Sequence, residues 1–355
     1  MILIEKFAIV DPSGTMLYGS NKYSEIVENL NKMGMQETNL NNCEGVIFIN
    51  YDKKSYKKYL KTGRNYKHSI LIRLEPVAVF PSQYRKNIES KFGLIIDPGK
   101  PVKQTNNFNF IGWPYKYHLN PSKPAINDPN LENRLDELKK SEIFRLSNWE
   151  RRLHKMVMIA GNKVSPTSNA NYRLRRKLAR QLKPAEIDLF GDMWQFNLIT
   201  RIYHRVAVGL NSIKNGFFPN VLELYGGLFT NYLTALGVIE NKHVLLQKYK
   251  FALVVENSSE YCSEKLFDAL INGTIPVYVG PQNSDLNLPD NLFYWTKGSV
   301  LEIKNFVNKI STEEISYRLK CIESFISSPA FKLNWDSKEV YKKISVQIYD
   351  YWRKL

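Results

Sequence analysis

Cysteine is scarce. Cys43, Cys262 and Cys321 stand far apart in a chain of 355 residues, which excludes a disulfide framework and any C-x-x-C metal or redox pair. That usage predicts a reducing, cytoplasmic setting. Long apolar runs are missing too, and none approaches the ~18 residues of a membrane span. The apolar start Met1–Val10 is interrupted by Glu5 and Lys6, so it predicts a first strand and not a signal peptide. The sequence holds no G-x-x-x-x-G-K-[ST] phosphate loop, no G-x-G-x-x-G and no H-E-x-x-H. Its five histidines never fall three to five apart, so no local zinc site is expected. Asp-x-Asp is absent as well, and sugar transferases that chelate a nucleotide diphosphate through a metal commonly use such a pair. If the chain handles a nucleotide sugar, basic side chains and backbone N–H groups are expected to hold the diphosphate, with no metal and no cofactor.

Acid is in deficit. Fifty Lys+Arg against 34 Asp+Glu give 50 − 34 = +16, which points to a polyanionic partner: nucleotide phosphate, nucleic acid or an anionic membrane surface. No RNA- or DNA-binding motif accompanies the charge, so a nucleic-acid module rests on charge alone. With 43% hydrophobic and 24% charged residues, the chain is globular in composition, and its length fits about two domains.

Short apolar runs alternate with helical spacing. Gly45–Ile49 and Ile70–Leu74 read as strands, Lys22–Met33 as a helix, and Leu94-Ile95-Ile96 as a strand before the turn Asp97-Pro98-Gly99. Six prolines break residues 98–130. Leu131–His154 reads as helical. A second alternating unit follows: strand Met156–Ala160, basic helix Tyr172–Leu182, strand Ile187–Phe190, then a poorly legible stretch to Lys248. Strand Phe251–Val255, helix Ser263–Ile271 ended by Asn272-Gly273, and strand Ile275–Val279 come next. Ser311-Thr312-Glu313-Glu314 has the form of a capping box. Continuous apolar strands separated by helices predict parallel sheets covered on both faces. The expected division is an α/β domain over 1–155, a second over 156–330 and a terminal helix over 331–355, with ligand between the two domains beyond the strands' carboxyl ends.

The segment Tyr249–Pro281 carries the most chemistry. A strand delivers Glu256 and Asn257 to its carboxyl end, and Ser263-Glu264-Lys265 opens a helix whose N-terminus offers free N–H groups to a diphosphate. Lys265 adds a full charge, and Glu264 can accept hydrogen bonds from a ribose diol. Glu264 and Lys265 can equally be read as solvated first-turn residues. Glu75, at the end of Ile70–Leu74 and before Pro76, is a carboxylate placed for general-base work. Its rival readings are an ion pair with Arg73 and a cap for Ser82–Ser90.

Tyr249-Lys250-Phe251, Glu256-Asn257, Tyr261, Glu264-Lys265, Pro276-Val277 and Gly280 stand in the order and spacing of the α-1,3/4-fucosyltransferases, and the segment resembles glycosyltransferase family 10 of the bacterial type. The resemblance implies a GT-B fold, two Rossmann-like domains facing across a cleft. It implies inverting transfer of L-fucose from GDP-fucose to a hydroxyl of a GlcNAc or Glc unit in an oligosaccharide or glycolipid, giving an α-1,3 linkage as in surface polysaccharides. Under it, Tyr261, Glu264 and Lys265 contact the nucleotide, Arg175 binds phosphate, and Asn162 ends the preceding strand where Gly161 replaces the usual Ser. Glu256 then lies beside the donor sugar, a salt bridge to a neighbouring Lys or Arg being its rival reading; Asn257 is among the donor-binding residues, and Glu75 is the base. Arg175 stands among Arg173, Arg176, Lys177 and Arg180, so a solvated basic face is the plainer reading of that helix. The same fold with another nucleotide sugar stays open.

Lys338–Leu355 has Val340, Ile344, Ile348, Tyr351 and Trp352 at helical spacing, with Lys342, Lys343, Arg353 and Lys354 beside them. Two readings stand: a terminal helix packing on the first domain, or peripheral attachment to anionic lipid.

Overall fold

A computed structural model describes residues 4–11, 23–98, 108–110, 112–117, 130–214, 218–226, 228, 229, 232 and 235–355. Met1–Leu3, Lys22 and much of the proline-broken stretch lie outside the described residues. The chain forms two compact units, 1–114 with 333–355, and 115–332.

The first unit is built on strands β1 (Lys6–Val10), β2 (Gln36–Glu37), β3 (Gly45–Ile49), β4 (Ser69–Ile72), β5 (Leu94–Pro98) and β6 (Phe108–Phe110). They pair in parallel in the order β2-β1-β3-β4-β5-β6. Strand alternation splits their side chains cleanly. Phe7, Ile9, Ile47, Ile49, Ile70, Ile72 and Ile96 enter one core. Ala8, Val10, Val46, Phe48, Leu71 and Ile95 enter another. Helix α1 (Ser24–Lys32) covers the first face through Ile26 and Leu30. Helix α2 (Lys53–Leu60) covers the second through Tyr56 and Tyr59. Asp52 starts α2 by accepting from the Ser55 N–H at 2.6 Å. The short α3 (Lys86–Glu89) precedes β5.

The second unit begins with α4 (Leu131–Lys140) and α5 (Leu146–Glu150), then β7 (Leu153–Ile159), α6 (Tyr172–Gln181) and β8 (Ile187–Phe190). The stretch that resisted reading contains α7 (Leu198–Lys214), α8 (Val221–Tyr225) and α9 (Lys242–Leu246). After it come β9 (Tyr249–Val255), α10 (Glu264–Ile271), β10 (Ile275–Val279), α11 (Asn283–Leu286) and β11 (Tyr294–Trp295). Helices α12 (Val300–Lys309), α13 (Thr312–Ile326) and α14 (Pro329–Trp335) follow. This sheet is also parallel, ordered β11-β10-β9-β7-β8. The chain passes outward from β7 to β8, then returns to the other flank of β7 with β9. The switch point between β7 and β9 is where open α/β sheets leave a crevice beyond the strand ends.

Two sequence expectations are corrected. The border between units falls at Pro114/Tyr115 and not at residue 155. The reason lies in α5: Trp149 is buried in the second unit's core and its indole N–H donates to Lys250 O at 3.1 Å. The expected helix Leu131–His154 is two helices, and His154 lies in β7.

The chain then returns to the first unit with α15 (Ser337–Arg353). Val340, Ile344, Ile348 and Trp352 are buried in the core beside Phe7 and Ile47. A Cβ on Gly45 would meet the Trp352 ring at 2.7 Å, so only glycine admits that indole against β3. The apolar positions that could have served lipid attachment are spent inside the protein. No described helix is long and apolar enough to cross a membrane.

Candidate active site

The expected donor-site residues of the second unit gather at the carboxyl ends of β7 and β9. Glu256 follows β9 and is fully buried. Its carboxylate accepts from Ser263 N at 2.9 Å and from Ser263 Oγ at 2.6 Å. Ser263 is the N-cap of α10, yet its hydroxyl does not cap the helix, because it donates to Glu256 instead. Lys265 Nζ donates to the same Ser263 Oγ at 2.9 Å and lies 3.6 Å from Glu264 Oε1. A three-membered chain therefore runs Lys265, Ser263, Glu256, ending on a carboxylate set against the positive end of a helix.

The electrostatics follow from burial. Loss of water pushes the Glu256 carboxyl up, against the pull of Lys265 and the Ser263 hydrogen bonds. Burial also opposes ionisation of Glu264, but Lys265 and Lys242 outweigh it, and its pKa lies below the ordinary carboxylate range. Burial opposes the Lys265 ammonium, and Glu264 and Glu256 more than compensate, so its pKa is raised. Both first-turn residues of α10 are charged at neutral pH. About a fifth of the Lys265 side chain and a third of Glu264 remain open to solvent.

Arg175 is almost fully buried. One Nη donates to Gly161 O at 3.2 Å, and the other to Val255 O at 2.7 Å and Asn257 Oδ1 at 3.2 Å. The guanidinium thus ties the end of β7 to the end of β9 across the switch point, over the ring of Tyr172. Its buried Nε finds no partner among the described residues. It stands near enough to Lys265 for the two like charges to oppose each other. The plainer reading of α6 fails at Arg175 and Arg176, which point inward, and holds for Arg173, Lys177 and Arg180, which are exposed or nearly so. Asn162 follows β7, its amide donating weakly to Met193 O at 3.4 Å, with its side-chain oxygen buried and without a partner among the described residues. Tyr261 is buried in the loop before α10. Gly280 directly follows β10, where a Cβ would lie 2.6 Å from the Tyr278 ring and 2.8 Å from Glu256 Cγ.

Beside this cluster is a cavity of about 240 Å³, lined by Gly161, Lys163, Asp192, Lys242, Glu264 and Lys265 among others. Lys242, Asp268 and Lys163 had drawn no attention in the sequence. Lys242 sits in the illegible stretch, as the first residue of a helix capped by Asn241. Asp268 carried a signal: it is a carboxylate amid the apolar residues of α10. Lys242 Nζ meets Asp268 Oδ2 at 2.6 Å, and Tyr115 OH donates to Asp268 Oδ1 at 3.1 Å. Among the described residues no three His, Cys, Asp or Glu side chains are grouped to hold a metal ion.

Glu75 belongs to the first unit. It follows β4, half-buried, and its backbone is held on three sides. Its N–H donates to Asn50 Oδ1 at 3.0 Å, and its carbonyl accepts from Gln83 Nε2 and Tyr84 OH, each at 2.9 Å. Burial raises the Tyr23 phenol well above its usual pKa, with Asp11 and Glu75 adding to the effect. Arg73 does not serve Glu75 as the rival reading had it; its guanidinium is bound to Asp97 at 2.6 Å and Glu89 at 2.9 Å. Nor does a side chain cap α3.

Residues 222–326 match the family described as glycosyltransferase family 10 (fucosyltransferase), C-terminal part. This segment is similar to glycosyltransferase family 10. It contains α10, both flanking strands and every donor-site candidate except Asn162 and Arg175. Two Arabidopsis thaliana proteins resemble about a third of this chain. An alpha-(1,4)-fucosyltransferase is 28% identical over 119 residues, 32% of this chain and 29% of that protein. A fucosyltransferase-like protein is 30% identical over 116 residues, 32% of this chain and 20% of that protein. The aligned part thus spans under a third of either relative. Among solved structures, an alpha1,3-fucosyltransferase with GDP superposes with a TM-score of 0.54 at 13% identity, covering 99% of this chain and 90% of that one. Anabaena HepE in complex with UDP gives 0.53 at 9% identity, covering 98% and 100%. The fold is therefore that of the GT-B glycosyltransferases, and the family 10 resemblance read from Tyr249–Pro281 stands.

Proposed function

We propose that the chain transfers L-fucose from GDP-fucose, with inversion, to a hydroxyl of a GlcNAc or Glc unit of a glycan, forming an α-1,3 linkage. The observation that carries this reading is the Lys265–Ser263–Glu256 chain at the start of α10, inside the family 10 segment. The leaving diphosphate would lie at the N-terminus of α10, stabilised by the helix N–H groups and Lys265. Arg175 would hold the strand ends in place and offer its unpartnered Nε–H. Glu264 would accept from the ribose hydroxyls, and Tyr261 and Asn257 would line the donor. The buried Glu256 would face positive charge developing on the sugar ring. Asn162, with a buried oxygen lacking a donor, would take part at the turn after β7. Glu75 would accept the acceptor hydroxyl's proton as that oxygen attacks the anomeric carbon.

The likeness to a UDP-bound transferase supports a second reading, the same fold with another nucleotide sugar. Calorimetry with GDP and UDP separates the two: tight GDP and weak UDP binding favour the first, the reverse favours the second. Glu75→Gln tests the base. Turnover of GDP-fucose should fall by roughly 10²–10⁴-fold with GDP affinity unchanged. Near-normal turnover in that variant would exclude Glu75.

A further inference from the structure

An amphipathic helix ordinarily buries its apolar stripe. Helix α7 does the reverse. Its buried positions are Arg205, Gly209 and Ser212, at i, i+4 and i+7. Gly209 sits close to α8, its Cβ position 3.4 Å from Leu224. The opposite side presents Ile199, Ile202, Tyr203, Val206, Leu210 and Ile213, all exposed, Ile199 at 79% and Tyr203 at 77%. The following segment continues the pattern with Phe218 at 97%, Val221 and Leu222. Single exposed apolar residues need no explanation, but a contiguous apolar face does.

The exposed charge of α6 and α7 has one sign. Helices α6 and α7 contain no Asp or Glu. Arg173, Lys177 and Arg180 of α6 are exposed. They border the apolar face through α8. Arg176 donates to Glu223 O at 2.7 Å, the Cβ position of Gly226 lies 4.0 Å from Arg173 Cγ, and α7 packs on α8.

We infer that α7 and residues 218–222 form a docking surface for an anionic lipid bilayer. The apolar stripe enters the boundary between headgroups and acyl chains, and Arg173, Lys177 and Arg180 meet acidic headgroups. Charge decides against a second copy as the occupant. Two molecules of net charge +16 joined through this face would bring their cationic borders together. The surface is independent of the donor-site reading and could bring the enzyme to a lipid-borne acceptor.

The test is sedimentation of the full chain with vesicles of phosphatidylcholine alone or mixed with phosphatidylglycerol. The wild type should bind the mixed vesicles, weakly at high salt, and not the neutral ones. Ile199→Ser/Tyr203→Ser/Leu210→Ser should weaken binding at least roughly tenfold, and Lys177→Ser/Arg180→Ser should weaken it on mixed vesicles. Circular dichroism and the thermal midpoint report folding. Should the triple variant misfold, Tyr203→Trp provides a second readout: its emission should shift to the blue on mixed vesicles more than the wild type's does. Absent wild-type binding, an unaffected triple variant or an unshifted Tyr203→Trp emission overturns the inference. So does a dimer in sedimentation equilibrium that the triple variant dissolves, which would make the face a self-association surface.

Discussion

At the scale of single residues, Ser263 decides how the candidate site is wired. By giving its hydroxyl to Glu256 and accepting from Lys265, it leaves the first turn of α10 uncapped by its own side chain and open to an anion. Removing the nearby charge should therefore be felt by a diphosphate. Lys265→Met is expected to weaken GDP binding by roughly 10–100-fold, the worth of a charged hydrogen bond; calorimetry showing unchanged affinity would exclude Lys265 from the site. Glu256 makes a different prediction. Burial raises its pKa, so the folded state holds that proton more tightly than the unfolded chain. Its stabilising contribution is present in full below the ordinary carboxylate value of about 4.3 and is lost as pH rises through the raised folded value. Glu256→Gln lacks this loss. The thermal midpoint of the variant relative to wild type should climb as pH rises above the ordinary carboxylate value, and a difference independent of pH would show the carboxylate to be unperturbed.

At the scale of elements, α9 and α10 are joined by a buried ion pair that shapes the cavity wall. Lys242 and Asp268 are 5% and 6% exposed and 2.6 Å apart. Among the described residues, Lys242→Met would leave Asp268 with only the Tyr115 hydroxyl, and breaking such a pair costs about 3–5 kcal/mol. Denaturant unfolding should record that loss, and Lys242→Met/Asp268→Leu should recover most of it. A single variant as stable as the wild type would mean that the pair is solvated. The loss should ease toward acid pH, where Asp268 takes up a proton, because burial already raises its pKa. This pair also favours ionised Glu264 through the charge of Lys242, which links the packing of two helices to the chemistry of the first turn.

At the scale of the whole molecule, the chain crosses into its second unit at Tyr115 and comes back at Leu333. The first unit is complete only when the last helix has been added. Ile344 is fully buried against β-strand residues far away in sequence. Ile344→Ala is expected to destabilise the protein by about 2–5 kcal/mol, read from denaturant unfolding; a midpoint equal to the wild type's would show α15 to be loosely attached. Such an effect would fall on a residue 79 positions or more from any donor-site candidate of the family 10 segment, since that segment's candidates stop at Lys265.

Local patterns were enough for much of this. Alternating apolar runs specified the parallel strands, because a buried pleat needs apolar residues on both sides. The spacing of Tyr249–Pro281 specified the candidate site's residue types, because strand end, loop and helix start lie next to one another in the chain. Three matters were left to the folded chain. Trp149 and the Arg152 guanidinium, donating to Asn272 and Gly273 carbonyls, assign α4 and α5 to the second unit, a choice made by contacts with residues more than a hundred positions away. The inward turn of Arg175 depends on carbonyls at Gly161 and Val255 that only the β7–β9 pairing brings together. The outward apolar face of α7 was hidden for a related reason: helical spacing shows that a stripe exists, while neighbouring elements decide whether protein or solvent lies over it.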